Sequence, residues 1–228
     1  MNKIFKYQLW HLLALITMLF CLSYYPSIDV HFLEGSFFQM ETYSWYVIAI
    51  LVPILHQIYV LLIWRYELHF KSISNYFGEK GFTLFKAGFA LFMLSRILSI
   101  IALAVSNRMT LSLDPILTYA LSAILFIPAA YLFYSVAKYF GIDRAVGKDH
   151  FDPAEAKAAS FVRQGIFKYT ANGMYKYGVL ILWIPGILLQ SQAAIAVALF
   201  SHVYIWVHYY FTELPDIRVI YGEGVQEQ

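Results

Sequence analysis

The 228-residue chain is 61% hydrophobic and 13% charged, with a formal net charge of +2 and a mean hydropathy of +0.62. Soluble domains carry about 25% charged residues, so this composition excludes an ordinary soluble protein. The small net charge excludes a domain built to hold nucleic acid. The single cysteine, Cys21, excludes an intrachain disulfide framework and a multi-thiolate metal site.

Apolar runs without Asp, Glu, Lys or Arg predict the first membrane spans. A helix of roughly 20 apolar residues crosses about 30 Å of hydrocarbon. Three such uncharged runs occupy residues 7–28, 42–64 and 115–137. A fourth run, residues 87–105, is interrupted only by Arg96, a cation that is costly in a membrane unless it faces a cavity or a partner.

The last apolar run, residues 177–212, is too long for one crossing. The polar Gln190, Ser191 and Gln192 lie near its midpoint, and we expect two helices there, over about 170–189 and 193–212, folded as a hairpin. Pro185 should kink the first, shorter helix. We therefore predict an all-α, polytopic membrane protein with about six transmembrane helices.

The basic residues predict the orientation. With the N-terminus inside, all but two of the 16 Lys and Arg residues fall on the cytoplasmic side; Arg108 is outside and Arg96 is within the membrane. This distribution follows the positive-inside rule for an even number of spans. We expect both termini in the cytoplasm, and an inner-membrane location if the chain is bacterial.

Three regions follow in chain order. Residues 1–140 form a four-helix transmembrane region. Residues 141–164 form a cytoplasmic connection, in which Asp152, Pro153 and Glu155 predict the start of a short surface helix over about 153–163. Residues 165–228 form the hairpin, predicted to hold a cofactor, and a cytoplasmic tail.

The last helix carries a polar face. Steps of three and four residues place His202, Trp206, Tyr209 and Glu213 on one side of it, whereas His208 points elsewhere. Ionisable groups at membrane depth are costly, so such a face is typical of a functional site. A satisfied interhelical hydrogen bond of His202 beside an aromatic belt is the structural alternative.

A compact signature, Asn172-Gly173-Met174-Tyr175, precedes the hairpin. Asn followed by Gly exposes backbone amides, and a helix that begins near Met174 presents its N-terminus to a carboxylate. Glu213 at the other end of the hairpin would take an ammonium group. S-adenosylmethionine carries both groups and an adenine that would pack against Tyr175 or Trp206.

These residues resemble the integral-membrane methyltransferases of the phospholipid and isoprenylcysteine carboxyl methyltransferase superfamily, and more closely the phospholipid branch. The resemblance covers about residues 163–222. Matching positions are Arg163, Gly165, Phe167, Tyr169, Asn172, Met174, Tyr175, Gly178, Glu213, Pro215, Ile217, Tyr221 and Gly222. The chain departs from the pattern where Gly173 replaces a proline and where Leu214 replaces the second acid of a Glu-Glu pair. His208, Asp216 or an acid from elsewhere would have to compensate for Leu214.

The resemblance implies a cofactor, S-adenosylmethionine, that binds from the cytosol, and an acceptor that enters sideways from the bilayer, with phosphatidylethanolamine as first choice. No metal or nucleic acid is expected. The predicted cofactor-binding residues are Asn172, Gly173, Met174, Tyr175, Gly178, Trp206, Tyr209 and Glu213. His202, as a base, and Glu213 are the predicted catalytic residues, and Arg96, His208 and Arg218 are the predicted substrate-binding residues.

Three alternatives remain open from the sequence. The acceptor could be an isoprenylcysteine carboxylate or a small thiol. Membrane sterol reductases share a similar hairpin and would use NADPH, although the C-terminal tail has few basic residues for a nucleotide phosphate. The two departures also permit an inactive scaffold or sensor. The sequence does not reveal the oligomeric state.

Overall fold

The computed structural model describes residues 3–29, 31–159 and 161–222. Over these ranges it contains helices and one two-stranded hairpin, β1 (Ser36–Phe37) and β2 (Met40–Glu41). The α-helices are α1 (Gln8–Ile28), α2 (Thr42–Phe70), α3 (Ser72–Phe77), α4 (Lys80–Ser106), α5 (Pro115–Ser135), α6 (Ile142–Ala145), α7 (Pro153–Ala158), α8 (Gly173–Tyr177), α9 (Trp183–Leu188), α10 (Gln192–His208) and α11 (Leu214–Tyr221).

Five helical segments are long and apolar enough to cross a membrane. Two of them include a π-helical turn, Val136–Phe140 after α5 and Tyr209–Glu213 between α10 and α11. The five segments are Gln8–Ile28, Thr42–Phe70, Lys80–Ser106, Pro115–Phe140 and Gln192–Tyr221. These lengths and compositions confirm the predicted all-α, polytopic membrane class.

The predicted sixth span is a shorter segment, Gly173–Leu188, in which a 3₁₀ helix over Gly178–Leu182 joins α8 to α9. A 3₁₀ helix rises about 2.0 Å per residue against about 1.5 Å in an α-helix, so the segment extends roughly 26 Å. It therefore nearly matches the thickness of the hydrocarbon core, about 30 Å, with fewer residues than an α-helix needs.

Three connections meet at one end of the bundle. Asn107 Nδ2 donates to the Phe32 and Glu34 carbonyl oxygens, both at 3.0 Å, and the Ser191 hydroxyl donates to Asn107 Oδ1 at 2.9 Å. These bonds join the first loop, the loop after α4 and the turn of the C-terminal hairpin. These three connections therefore lie on the same side of the bundle.

The N-terminal segment, the connection after α5 and α11 meet at the other end. Arg65, which is 1% exposed, organises this end. Its Nε donates to Asp216 at 3.1 Å, and its Nη1 donates to the carbonyl oxygens of Ile4 at 2.7 Å and Lys6 at 2.8 Å. A buried guanidinium is costly unless hydrogen bonds and an opposite charge pair it in this way. Which end faces the cytoplasm stays a prediction.

Pro215 explains the π-helical turn before α11. Proline has no backbone N–H, so the carbonyl oxygen of Phe211, four residues earlier, loses its normal helical donor. Gln8 Nε2 and Arg65 Nη2 donate to that oxygen instead, at 2.9 and 3.0 Å. The turn, which ends at Glu213, is thus fixed by side chains from α1 and α2.

The predicted surface helix is shorter than expected. The Asp152 carboxylate accepts from the Glu155 amide at 3.0 Å, and Pro153 occupies the first turn, as the sequence predicts. The helix ends at Ala158, however, because Ala159 adopts an extended backbone.

Candidate functional site

A cavity of about 640 Å³ opens at the end of the bundle organised by Arg65. The polar connection after α5, the signature before the hairpin, and the helical turns around Glu213 build its walls. The polar lining residues are Arg144, Asp149, His150, Arg163, Asn172, Tyr175, Tyr209, Glu213 and Tyr221. Its apolar lining includes Trp64, Phe140, Phe161, Phe167, Met174, Leu214 and Ile217.

Tyr175 and Glu213 form the centre of one wall. The Tyr175 hydroxyl donates to a carboxylate oxygen of Glu213. The Tyr175 ring lies 4.8 Å from the Tyr209 ring and 5.5 Å from the Trp206 ring, measured between centroids. Three members of the polar face predicted on the last helix thus converge on the aromatic residue of the signature.

Asp149 forms the opposite acidic group. Its carboxylate accepts from the Tyr221 hydroxyl and lies 3.4 Å from Arg144 Nε. Burial lowers the pKa of Arg144, but the hydrogen bond to Tyr221 and the negative charge of Asp149 outweigh that effect, so the pKa is raised. Arg144 therefore keeps its charge in the cavity.

A glycine positions the Asp149 turn. Gly147 has a φ of +95°, which favours glycine, and a Cβ there would lie 2.5 Å from the Trp64 ring. The backbone consequently packs directly on Trp64, and the next residues turn into the 3₁₀ helix Lys148–His150. His150 stacks on Trp64 with the ring centroids 4.1 Å apart.

The sequence does not decide which residue would compensate for Leu214. Leu214 lines the cavity with an apolar side chain. Asp216 is 2% exposed and is paired with Arg65 outside the lining, and His208 is buried deeper in the bundle. Among the described lining residues, the acids are Glu213 and Asp149.

The signature residues divide between lining and packing. Asn172, Met174 and Tyr175 line the cavity. Gly173 and Gly178 do not; they let α8 and the following turn approach α5, since a Cβ on Gly178 would lie 2.9 Å from Leu132 and one on Gly173 3.2 Å from it. The helix α8 is five residues long, so its dipole is weaker than that of a full helix.

Trp206, also predicted to bind the cofactor, packs behind Tyr175 and Tyr209 and is not part of the lining. Four other predicted site residues lie away from the cavity. His202 accepts from Trp183 Nε1 at 3.3 Å, roughly 16 Å along the helix from Glu213 at about 1.5 Å per residue. Arg96 and His208 are buried between helices, and Arg218 is exposed on α11. Their roles stay predictions, as do those of the lining residues.

Sequence reasoning missed Arg144, Asp149, His150 and Trp64 as lining residues. The first three belong to an irregular polar connection, where no periodicity relates one side chain to another. Gly147, a glycine flanked by charged residues, was the one sequence feature that could have indicated a functional turn in this connection. Among the described residues, no group of three or more His, Cys, Asp or Glu side chains is placed to hold a metal ion.

Comparison with curated proteins and with solved structures found no match. Residues 117–224, just under half of the chain, match the model of a family described as phospholipid methyltransferase (PEMT). Every cavity-lining residue except Trp64 falls within this range. The match confirms the resemblance predicted from the motifs: the part of the chain that builds the cavity is similar to the phospholipid methyltransferase family.

Proposed function

We propose that the protein transfers a methyl group from S-adenosylmethionine to a membrane-soluble acceptor, a phospholipid amine such as phosphatidylethanolamine. One observation carries this proposal: motif residues that are far apart in the sequence line a single cavity within the region of the family match. These residues are Arg163, Phe167, Asn172, Met174, Tyr175, Glu213, Ile217 and Tyr221.

The lining suits the proposed cofactor. S-adenosylmethionine supplies an electrophilic methyl group on a sulfonium, and it carries an ammonium, a carboxylate and a flat adenine. Glu213 and Asp149 offer two carboxylates for its positive groups, and Arg144 and Arg163 offer cations for its carboxylate. A cavity of about 640 Å³ lies in the range of roughly 300–1,000 Å³ typical of sites for ligands of this size.

Glu213 is proposed to bind the ammonium group. The Tyr175 hydroxyl holds one of its oxygens, and the neighbouring rings of Tyr209 and Trp206 restrict its surroundings. Asp149 is proposed to take the position of the second acid that Leu214 lacks. Methyl transfer is an in-line displacement that depends chiefly on proximity and orientation, so fixed carboxylates contribute by orienting the cofactor.

The lining can accommodate an amine acceptor. Glu213 and Asp149 would attract an ammonium headgroup, but Arg144 and Arg163 balance their charge, so the preference for an amine over a carboxylate rests on the family resemblance. Apolar side chains, Phe140, Phe167 and Ile217, line the same cavity and would accommodate the lipid part of the acceptor. We place this mouth, and both termini, on the cytoplasmic side, where S-adenosylmethionine is available.

The amine must lose a proton, and His202 remains the proposed base. It lies roughly 16 Å along the helix from Glu213, so it would accept the proton through intervening water molecules and not by direct contact with the amine. This assignment is tested separately from cofactor binding, because a His202 variant should bind the cofactor normally.

A second candidate, an NADPH-dependent reductase, is favoured by one observation. Arg144 and Arg163 both line the cavity, where they could bind a nucleotide phosphate. The methyltransferase family match favours the first proposal.

The deciding experiment is calorimetric titration of detergent-purified protein with S-adenosylhomocysteine and, in parallel, with NADPH. We expect micromolar binding of S-adenosylhomocysteine, lost in Glu213→Gln, and no binding of NADPH. Binding of NADPH alone would favour the reductase, and binding of neither would favour an inactive scaffold. Mass spectrometry of lipids after incubation with S-adenosylmethionine would then identify the methylated acceptor.

A further inference from the structure

Ten buried side-chain nitrogens lack a hydrogen-bond partner among the described residues, and they belong to six side chains on α2, α4, α10 and the connection after α5. The group consists of His56, Gln57, Trp64, Arg96, His150 and His208. It begins at the cavity floor, where Trp64 stacks on His150, and continues to His208, whose ring lies 5.9 Å from that of Trp64. His208 interacts electrostatically with His56, and His56 with Arg96. Buried polar atoms are normally satisfied, so a group of this size points to a ligand or to water.

Arg96 marks the inner end of this group. It is 6% exposed and lies ten residues before the end of α4 at Ser106, roughly 15 Å from that end. An arginine keeps its proton in proteins, so its charge persists there. Its electrostatic neighbours are Tyr204 and His56, neither of which is an acid, and no ion pair within the described ranges includes it. An unpaired buried cation is costly, and a negative ligand would remove that cost.

The two unpartnered nitrogens of Arg96 define the ligand's shape. They are Nε and Nη2, which form the edge of the guanidinium that directs two parallel N–H bonds the same way. This edge matches two oxygens of a planar or tetrahedral oxyanion. His56 and Gln57 on α2 are each 3% exposed and also have side-chain nitrogens without a partner. These nitrogens would donate hydrogen bonds to further oxygens of the anion. An anion with more than two oxygens, such as a phosphate group, uses this set best.

We propose that Arg96, with His56 and Gln57, binds a phosphate group inside the bundle, at a site separate from the cofactor cavity. Arg96 is not among the residues that line that cavity. The phosphate could belong to a lipid headgroup drawn in between the helices or to a free inorganic ion. The site requires neither S-adenosylmethionine nor methyl transfer, so it can be tested independently of the proposed function.

Thermal unfolding of the purified protein tests the site in two arms. In the first, inorganic phosphate is titrated into protein in phosphate-free detergent buffer. In the second, the protein is placed in nanodiscs of a galactosyl diacylglycerol, which carries no phosphate, with or without phosphatidic acid. We expect a saturable rise in Tm in one arm, and the arm that responds identifies the source of the phosphate. A Tm that changes in neither arm overturns the proposal.

The substitution Arg96→Met removes the charge and the guanidinium donors while keeping an unbranched side chain of similar volume. It should weaken phosphate binding about tenfold to a hundredfold, since charge-assisted hydrogen bonds are lost. Arg108→Gln, on an exposed loop residue, removes the same charge elsewhere and should leave the Tm response unchanged. An equal response in Arg96→Met also overturns the proposal. If Arg96→Met does not fold, Arg96→Gln is measured instead, and a cooperative unfolding transition without phosphate, together with a single size-exclusion peak, reports the integrity of each variant.

Discussion

Moving the second acid of the cavity from position 149 to position 214 is the sharpest test of the cofactor site. The motif places two acids next to each other in the chain, whereas this protein has Glu213 followed by Leu214. Asp149 faces the same cavity from a different element. If it replaces the missing acid, Asp149→Asn should weaken cofactor binding, and Leu214→Glu in the same chain should restore it.

The size of the effect follows from the surroundings of Asp149. Its side chain is 22% exposed, so water screens its charge only partly. A hydrogen bond to a charged group contributes about 1.5–3 kcal/mol, which corresponds to a loss of about tenfold to a hundredfold in affinity. Arg144 would lose its ion pair with Asp149 as well, so the lower half of that range is expected if Arg144 then binds the cofactor's carboxylate more strongly.

Calorimetric titration with S-adenosylhomocysteine and with S-adenosylmethionine measures both affinities. Asp143→Asn is the matched control, because Asp143 is an acid of the same connection that pairs with Lys86 at 2.7 Å and is 50% exposed. Unchanged affinity in Asp149→Asn would refute the assignment of Asp149. A double variant that binds no better than Asp149→Asn would refute its equivalence to the missing acid. A larger loss for S-adenosylmethionine would locate the contact at the sulfonium.

Three further predictions concern single residues. Tyr175→Phe removes the hydrogen bond to Glu213 and should weaken S-adenosylhomocysteine binding about fivefold to tenfold in the same titration, leaving Tm nearly unchanged. Gly165→Ala should lower Tm by several degrees, because φ is +60° and the new Cβ would lie 2.5 Å from a serine hydroxyl; Gly78→Ala, with φ of +58° and open space, should lower Tm less, and equal shifts would contradict the steric argument. His202→Gln should reduce methyl transfer at neutral pH by about 10²-fold with cofactor affinity intact; unchanged turnover would exclude it as the base.

The membrane spans could be predicted because their cause is local. An uncharged run longer than about 20 residues has few alternatives to a spanning helix. The segment Gly173–Leu188 is shorter than the helix predicted over about 170–189 and contains a 3₁₀ turn. Both features depend on packing against α5 at Gly178. The close approach of the hairpin arms has a similar origin, because a Cβ on Gly186 would lie 2.9 Å from the Ile195 backbone nitrogen.

The two walls of the cavity differed in how far the sequence could predict them. Helical periodicity placed Trp206, Tyr209 and Glu213 on one face, and that face does meet Tyr175. Asp149 carries no such signal, because the connection that holds it has no repeating geometry. Its position depends on a left-handed glycine and on a tryptophan from α2, which is a tertiary relationship that spacing along the chain does not encode.

Arg65 and Arg96 show that the role of a buried charge can be interpreted only from its three-dimensional environment. The sequence treats Arg65 as an ordinary cytoplasmic cation, yet it is 1% exposed, and all three of its nitrogens donate hydrogen bonds, to an acid and to backbone carbonyl oxygens. Arg96 is nearly as buried, but two of its nitrogens have no partner within the described part of the chain. The first arginine is therefore fully explained by the fold that it joins. The second is explained only if something outside the polypeptide completes it, which is why the phosphate titration addresses Arg96 and not Arg65.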